Sequence, residues 1–250
     1  MDDDQILTKT ALLVAAGDGI GAAVARRFAS GGYAVCMARR EPEKSAALLQ
    51  ELRAQGCNVQ AVALDVRDEE SVVRLFDHVE ESIGTIEMCL FNGGANTRLP
   101  VHDTSTKLFY RVWELGCQAG FTVGKEAAKH MVPRARGSIF FTGATASIRG
   151  RAEYAAFASA KFALRGLAQA FARELGPRNI HVAHLIVDGA VDSEAVRRVM
   201  KQRTGTDASE LPADTLLSTY SVAEAYWFLH HQSRDAWTHE LDIRPARETW

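Results

Sequence analysis

The sequence of this protein predicts an α/β fold: a doubly wound parallel β-sheet flanked by helices, in a single domain of residues 1–250. Strand-like and helix-like segments alternate along the chain, as such a sheet requires. Most strand-like segments are continuous apolar runs, typical of strands buried on both faces. The first run leads through a glycine-rich turn into a helical pattern. A chain of 250 residues fits one large domain with a substantial core.

The first unit is a strand at 11–15, a turn of sequence Gly17-Asp18-Gly19, and a helical pattern that begins at Gly21. The pattern ends at the glycine pair 31–32, which is a typical helix terminator. A turn in this position aims backbone N–H groups and the positive end of the helix dipole at one point, which suits a phosphate. The alternative interpretation is a tight connection that binds nothing.

The remaining elements follow from the same patterns. We predict further strands at 34–38, 58–63, 88–92, 138–142, 181–187 and 241–243. We predict helices at 43–55, 69–83, 106–130, 155–175 and 221–231. Residues 188–220 hold one weak helical pattern, at 193–202, and an irregular segment of this length is typical of a lid or binding loop.

Composition excludes several classes of function. The chain is 47% hydrophobic and 24% charged with a net charge of -2, so it offers no basic surface for nucleic acid. The acidic start MDDDQILTK lacks the apolar core of a secretory signal, and no apolar run is long enough to cross a bilayer. The four cysteines form no close pair, so we expect no metal site and a cytoplasmic protein.

Several short motifs stand at the ends of predicted strands. They are Gly19-Ile20-Gly21 after the first strand, Leu64-Asp65-Val66 after the third, Asn92-Gly93-Gly94 after the fourth, Lys161 in the helix after the fifth, and Asp188-Gly189 after the sixth. Together they resemble the short-chain dehydrogenase/reductase family over nearly the whole chain. The resemblance implies a Rossmann-like fold, a dinucleotide cofactor, a small-molecule substrate and a homodimer or homotetramer.

The resemblance also implies a set of cofactor-binding residues. They are Gly17, Asp18, Gly19, Ile20, Gly21, Asp65, Val66, Asn92, Gly93, Lys161 and Ser193. At the end of the second strand, where NAD-using relatives carry a carboxylate, this chain has Arg39 and Arg40, which suit the 2′-phosphate of NADP. We therefore predict NADP, with NAD as the alternative. The alternative interpretation is that the two arginines are solvated at the start of a surface helix and pair with nearby glutamates.

Two departures in the glycine turn weaken the cofactor prediction. Val14-Ala15 stands where the family has Thr-Gly, which adds a Cβ to the first turn. Asp18 places a negative charge in the loop that should meet phosphate.

The catalytic positions depart further. The family uses an asparagine, a serine, a tyrosine and a lysine, and only the lysine, Lys161, is retained; Gly116, Ala144 and Phe157 occupy the other positions. Phenylalanine has no proton for the alkoxide formed by hydride transfer, and loss of one positioned acid costs ~100 to 10,000-fold in rate. The sequence thus favours a catalytically impaired protein, a pseudoenzyme with a sensor or partner role.

An active enzyme is the alternative hypothesis. Tyr154 could serve as the acid and Thr142 or Thr145 as the carbonyl donor, giving an NAD(P)-dependent oxidoreductase that interconverts a small carbonyl and alcohol. A loop aromatic at the pocket mouth is the plainer interpretation of Tyr154. His184 and Asp188, placed at the carboxyl end of the sixth strand, are weaker candidates.

Two further expectations concern the substrate and the assembly. A mainly apolar pocket is expected from Ala144, Tyr154, Phe157, Val191, Val196 and Met200. Gly116 and Gly120, one helical turn apart, are expected to let a neighbouring backbone come close in a homo-oligomer.

Overall fold

The central sheet has seven parallel strands. The computed structural model describes residues 8–249. The strands of this sheet are β1 Lys9–Val14, β2 Ala34–Arg39, β3 Val59–Ala63, β4 Thr85–Phe91, β5 Ser138–Thr142, β6 His181–Val187 and β9 Glu240–Ile243. They lie in the order β3-β2-β1-β4-β5-β6-β9. The doubly wound sheet is confirmed, and the predicted bounds of β5 and β6 are confirmed to the residue.

Helices cover both faces of the sheet. They are α1 Ile20–Ser30, α2 Ala46–Ala54, α3 Glu69–Ser82, α4 Thr106–Trp113, α5 Ala119–Met131, α6 Ala155–Leu175, α7 Glu194–Thr204 and α8 Thr219–His230. The single helix predicted at 106–130 is wrong in one respect, because a π-helical turn at Glu114–Gln118 separates α4 from α5. A single π turn inside an α-helix is rare, and the helical pattern at 106–130 gave no reason to expect one.

Two apolar cores result from the alternation of side chains along each strand. On one face of β1, Leu13 packs in a core that includes Phe28 of α1 and Tyr226 of α8. On the other face, Leu12 packs in a core that includes Phe76 of α3 and Val123 of α5. Burial on both faces explains why the strand segments read as continuous apolar runs.

The segment 188–220 is more regular than we predicted. It contains two short strands, β7 Val191–Asp192 and β8 Leu217–Ser218, which pair in parallel, with α7 between them. Strands of two residues are too short to show a pattern in the sequence. The C-terminal region fastens this segment, since Arg247 Nε donates to the carbonyl of Ala213 at 3.0 Å.

The strand order changes direction at β1, which pairs with β2 on one side and with β4 on the other. The connections that leave the adjacent strands β1 and β4 therefore run in opposite directions along the sheet, and a crevice opens at the carboxyl ends of these two strands. In open α/β sheets such a crevice is the usual ligand site. The glycine turn between β1 and α1 lies at this point.

Candidate functional site

A cleft of about 430 Å³ opens at the carboxyl ends of β1 to β4. Seven of the predicted cofactor residues line it: Gly17, Arg39, Arg40, Asp65, Val66, Asn92 and Gly93. The cleft also contains residues that the sequence reasoning missed, among them Glu41, Arg67, Leu108 and Arg111. Arg67 lies only two residues after Asp65, and this short spacing is the sequence feature from which a contact between the two could have been predicted.

The glycine turn leaves backbone accessible to a ligand. A Cβ on Gly17 would meet no atom within 4 Å, whereas one on Gly21 would lie 2.6 Å from the Cβ of Ala16. Gly21 is therefore needed for close packing of α1 on the turn, and Gly17 faces open space. No side chain caps the N-terminus of α1, which begins at Ile20. The first N–H groups of α1 remain suited to an anion.

Ala15 has a left-handed backbone, with φ of +56°. This conformation costs a residue with a Cβ roughly 1–2 kcal/mol, and glycine adopts it freely. The departure noted at Val14-Ala15 is therefore a real strain in the turn. Ala15 lines the cleft, so its methyl group takes space beside the turn.

The arginines at the end of β2 differ in their surroundings. Arg40 is exposed and lines the cleft, and its role as an anion contact stays a prediction. Arg39 instead forms an ion pair with Asp18 across the rim and donates to Ser45 Oγ at 3.2 Å. The prediction that Arg39 stands ready for a phosphate needs this correction: a carboxylate of the same chain already engages it.

Asp65 is also engaged within the cleft. Arg67 Nε donates to its Oδ1 at 2.9 Å, and the backbone N–H of Arg67 donates to the same oxygen at 3.1 Å. These hydrogen bonds from Arg67 lower the pKa of Asp65 to about 2. The carboxylate is therefore ionised at neutral pH, and one guanidinium orients it.

Lys161 is buried beneath the cleft. Its Nζ donates to the carbonyl of Gly93 at 3.0 Å and to that of Thr142 at 2.8 Å. Burial lowers the pKa of Lys161 to about 8. The lysine thus ties α6 to the ends of β4 and β5, and its ammonium is held by carbonyls.

The hydroxyl proposed on Thr142 does not face this lysine. Thr142 Oγ1 lies 2.7 Å from the hydroxyl of Tyr226, in the core between the sheet and α8. The prediction of Thr142 as a carbonyl donor is therefore wrong, since Tyr226 holds that hydroxyl on the opposite face. Thr145 lies half-buried in the turn after β5.

Two glycines on the long helical segment pack within the chain. A Cβ on Gly116 would lie 2.9 Å from the Cβ of Ala160, and one on Gly120 would lie 2.6 Å from Leu164 Cδ1. The expectation that they receive a second chain is wrong, because α6 of the same chain occupies that space. Gly116 stands in the π turn, against the residue that precedes Lys161.

A buried hydrogen-bond chain begins at Ala144, which occupies a position that the family resemblance assigns to catalysis. The N–H of Ala144 donates to Ser147 Oγ at 3.1 Å, and Ser147 Oγ lies 3.4 Å from His184 Nε2. His184 Nδ1 lies 3.2 Å from Glu240, whose carboxylate accepts two hydrogen bonds from Arg165. His184 lies in mid-strand, so the prediction that placed it at the strand's carboxyl end is wrong.

The protonation of this chain follows from burial. Burial lowers the pKa of His184 to about 4, although Glu240 opposes the shift, so the imidazole is neutral at pH 7. Its one proton then faces the carboxylate, and Nε2 accepts from the Ser147 hydroxyl. Ser147 and His184 are fully buried. The arrangement therefore fixes the loop after β5 and offers no accessible nucleophile.

The other candidates, Tyr154, Asp188 and Ser193, lie outside the lining of the cleft. Tyr154 is the residue before α6, half-buried, with its ring centroid 6.5 Å from that of Phe157. Asp188 is fully buried and accepts from Arg149 at 2.8 Å, so it acts as an anchor between two loops. Ser193 caps α7, and its Cβ would lie 3.2 Å from a Cβ on Gly19.

Ala144, Tyr154 and Phe157, which were expected to form an apolar pocket with three residues of the segment 188–220, do not line the cleft. Val196 and Met200 are half-buried on α7, Val191 packs against the core, and none of the three lines the cleft. Within residues 8–249 no three histidine, cysteine or acidic side chains come together as metal ligands. No helix among these residues has the length and apolar character to span a membrane.

Known proteins are similar to this one in sequence and fold. The family model described as short chain dehydrogenase matches residues 9–204. A short-chain dehydrogenase from Rhodopseudomonas palustris is 42% identical, with a TM-score of 0.80 over 95% of this chain and 98% of its own. The 2,3-dihydro-2,3-dihydroxybenzoate dehydrogenase of Bacillus subtilis is 26% identical over 231 residues, 88% of each chain.

A third protein matches in fold. The structure of a single-substitution variant of actinorhodin polyketide ketoreductase with NADPH superposes with a TM-score of 0.86 at 23% identity, over 95% of this chain and 96% of that one. The glycine turn, the cleft at the switch of strand order and the buried lysine accord with these matches. The chain belongs to the short-chain dehydrogenase family.

Proposed function

We propose that this protein binds NADP(H) in the cleft and is catalytically impaired, acting as a sensor or partner protein. The cofactor proposal is supported by the position of the cleft at the switch of strand order. The open face of Gly17 and the uncapped start of α1 fit a pyrophosphate. An exposed arginine on the rim, Arg40, fits a further phosphate.

Each part of the cleft has a distinct role in this proposal. Residues 17–21 would hold the pyrophosphate, and Asp65 with Val66 would meet the adenine. Asn92 and Gly93 would line the middle of the dinucleotide, and Lys161 would hold the nicotinamide ribose. Ser193 packs on the glycine turn from the other side, so residues 188–220 would cover the bound cofactor. When bound, the dinucleotide supplies or accepts a hydride.

The proposal of impaired catalysis depends on the absence of a proton donor beside Lys161. Phe157 stands one helical turn before the lysine, with its ring centroid 6.0 Å from Nζ. Ala144 contributes no polar side-chain atom, and Tyr226 holds the hydroxyl of Thr142 away. An alkoxide formed here would lack both the hydrogen bond that stabilises it and the acid that protonates it.

The second candidate is an active NAD(P)-dependent oxidoreductase on a small carbonyl or alcohol. One observation favours it: Tyr154 is half-buried beside Phe157 at the start of α6, where a tyrosine could reach the mouth of the site. The relatives in the comparisons are named as dehydrogenases and reductases, which supports the same alternative.

A nucleotide titration tests the cofactor proposal. Purified protein is titrated with NADPH and NADH while ligand fluorescence is followed, beside an Arg39→Ala, Arg40→Ala double variant. We expect saturable binding of NADPH that the double variant loses, because the rim arginines meet the 2′-phosphate. Binding of neither nucleotide at millimolar concentration would refute the cofactor proposal.

A second assay separates the two candidates. Wild type, Tyr154→Phe and the double variant Ala144→Ser, Phe157→Tyr are compared on a panel of hydroxy acids, cyclic alcohols and their ketones. Impaired catalysis predicts no turnover by wild type or by Tyr154→Phe and measurable turnover by the double variant. Turnover by wild type that Tyr154→Phe abolishes would favour the active enzyme.

A homo-oligomer is part of the proposal. Phe121 on α5 and Phe162 on α6 are 45% and 43% exposed, so these helices carry apolar side chains on their outer surface. Light scattering after size exclusion should give the mass of a dimer or tetramer, and a monomer would contradict this assignment.

A further inference from the structure

One ion pair crosses the rim of the cleft. Asp18, between two glycines of the turn, pairs with Arg39, the last residue of β2. The Arg39 side chain is only 14% exposed and also donates to the buried Ser45, whereas the side chain of Asp18 is 70% exposed. The arginine is therefore fixed in the protein, and the carboxylate is the partner that can turn away into water.

Asp18 differs from another acidic residue of the rim, Glu41, in the partner that balances its charge. Glu41 also lines the cleft, but its carboxylate accepts from Lys44 at 2.8 Å, so a residue outside the cleft lining balances its charge. Asp18 instead balances a guanidinium of the rim itself. NADP(H) and NAD(H) differ only in a 2′-phosphate. An anion placed at Arg39 must either displace Asp18 or be repelled by it.

We infer that Asp18 is a specificity-determining residue of the dinucleotide site: its carboxylate occupies Arg39 in place of a 2′-phosphate and so reduces the preference for NADP(H) over NAD(H). The inference builds on the proposed function, since it assigns the adenosine end of the dinucleotide to this rim. Arg40 alone then attracts the 2′-phosphate until Asp18 moves.

The exchange of ion pairs at Arg39 should affect how NADPH affinity depends on ionic strength. NADPH binding to wild type replaces one ion pair of Arg39 with another, so the net number of ion pairs at this arginine does not change. In Asp18→Asn the arginine has no acidic partner in the turn, and NADPH binding creates the pair outright. The affinity of the variant for NADPH should therefore fall more steeply with ionic strength than that of wild type.

Isothermal titration of NADPH and NADH into wild type, Asp18→Asn and Glu41→Gln tests the inference. We expect Asp18→Asn to tighten NADPH binding about tenfold, equivalent to about 1.4 kcal/mol, and to change NADH binding by less than about twofold. Glu41→Gln removes a carboxylate from the same rim without releasing Arg39. It should change both affinities by the same small factor.

The outcomes are distinct. Equal tightening of both nucleotides by Asp18→Asn, or the same NADPH gain in Glu41→Gln, would overturn the inference, because general charge would then explain the effect. A gain that persists in Asp18→Asn, Arg39→Ala would overturn it too. Binding of neither nucleotide by any variant would refute the proposed cofactor itself, and a dinucleotide-binding protein without the Asp18 effect would refute the inference alone.

Discussion

Single buried hydroxyls decide the local geometry of the site. Ser147 accepts from the N–H of Ala144 and donates to His184, so Ser147→Ala leaves a buried donor and a buried acceptor unpaired. We expect the free energy of unfolding to fall by about 1–3 kcal/mol. Chemical denaturation measures the loss. Ser159→Ala is the matched control, because Ser159 only bonds the carbonyl of Ala156 within α6. Equal stability of Ser147→Ala and wild type would show that the hydrogen bonds of Ser147 contribute nothing to the free energy of unfolding.

Contacts between helices limit which side chains Gly116 can be changed to. A Cβ on Gly116 would lie 2.9 Å from the Cβ of Ala160, which has no rotamer to adjust. We expect Gly116→Ala to lower the free energy of unfolding by roughly 1–3 kcal/mol through overpacking. Gly166 lies in α6 and faces open space, so Gly166→Ala should raise stability by up to about 1 kcal/mol through helix propensity. Urea denaturation compares the two variants, and a neutral Gly116→Ala would contradict the packing argument.

Acid stability is a property of the whole molecule, because it sums buried groups on distant elements. Burial lowers the pKa of His184 to about 4 and that of His230 to about 3. Below about pH 6.5 the unfolded chain binds protons at these positions and the folded chain does not. Stability should therefore be complete above about pH 7 and fall toward about pH 4, by roughly 1.4 kcal/mol per pH unit for each histidine.

Urea denaturation between about pH 8 and about pH 4.5 measures this slope. His184→Gln should flatten it by the share of one histidine. An unchanged slope in His184→Gln would contradict the assignment. Asp65, whose pKa Arg67 lowers to about 2, adds a further loss of stability only below about pH 4.

Local patterns predicted the scaffold of this protein better than its polar contacts. The bounds of β5, β6 and α6 follow from apolar runs and terminators within a few residues, and the left-handed Ala15 stands where the turn was expected to resist a Cβ. Partners distant in the chain could not be predicted in this way. Thr142 contacts Tyr226, 84 residues away in the sequence, and the contact depends on which face of the sheet the Thr142 side chain points to.

The same limit applied to the charged rim and to the buried network. The sequence placed Asp18 and Arg39 at the correct ends of their elements, but the ion pair depends on how the turn approaches β2. The chain from Ser147 through His184 to Glu240 joins three segments, and each of these residues alone has an ordinary structural interpretation. Family resemblance identified the cleft, and only three-dimensional contacts revealed which side chains are already engaged.

The position of β9 at the edge of the sheet has a consequence for biosynthesis. β6 is complete at Val187, yet its outer edge pairs only with Glu240–Ile243, which is made much later. At roughly 5–20 residues per second a ribosome needs about 3–10 s to make the intervening segment. During that interval the unpaired edge of a mostly apolar strand is exposed to other nascent chains. Chaperone demand should therefore be greatest in those seconds.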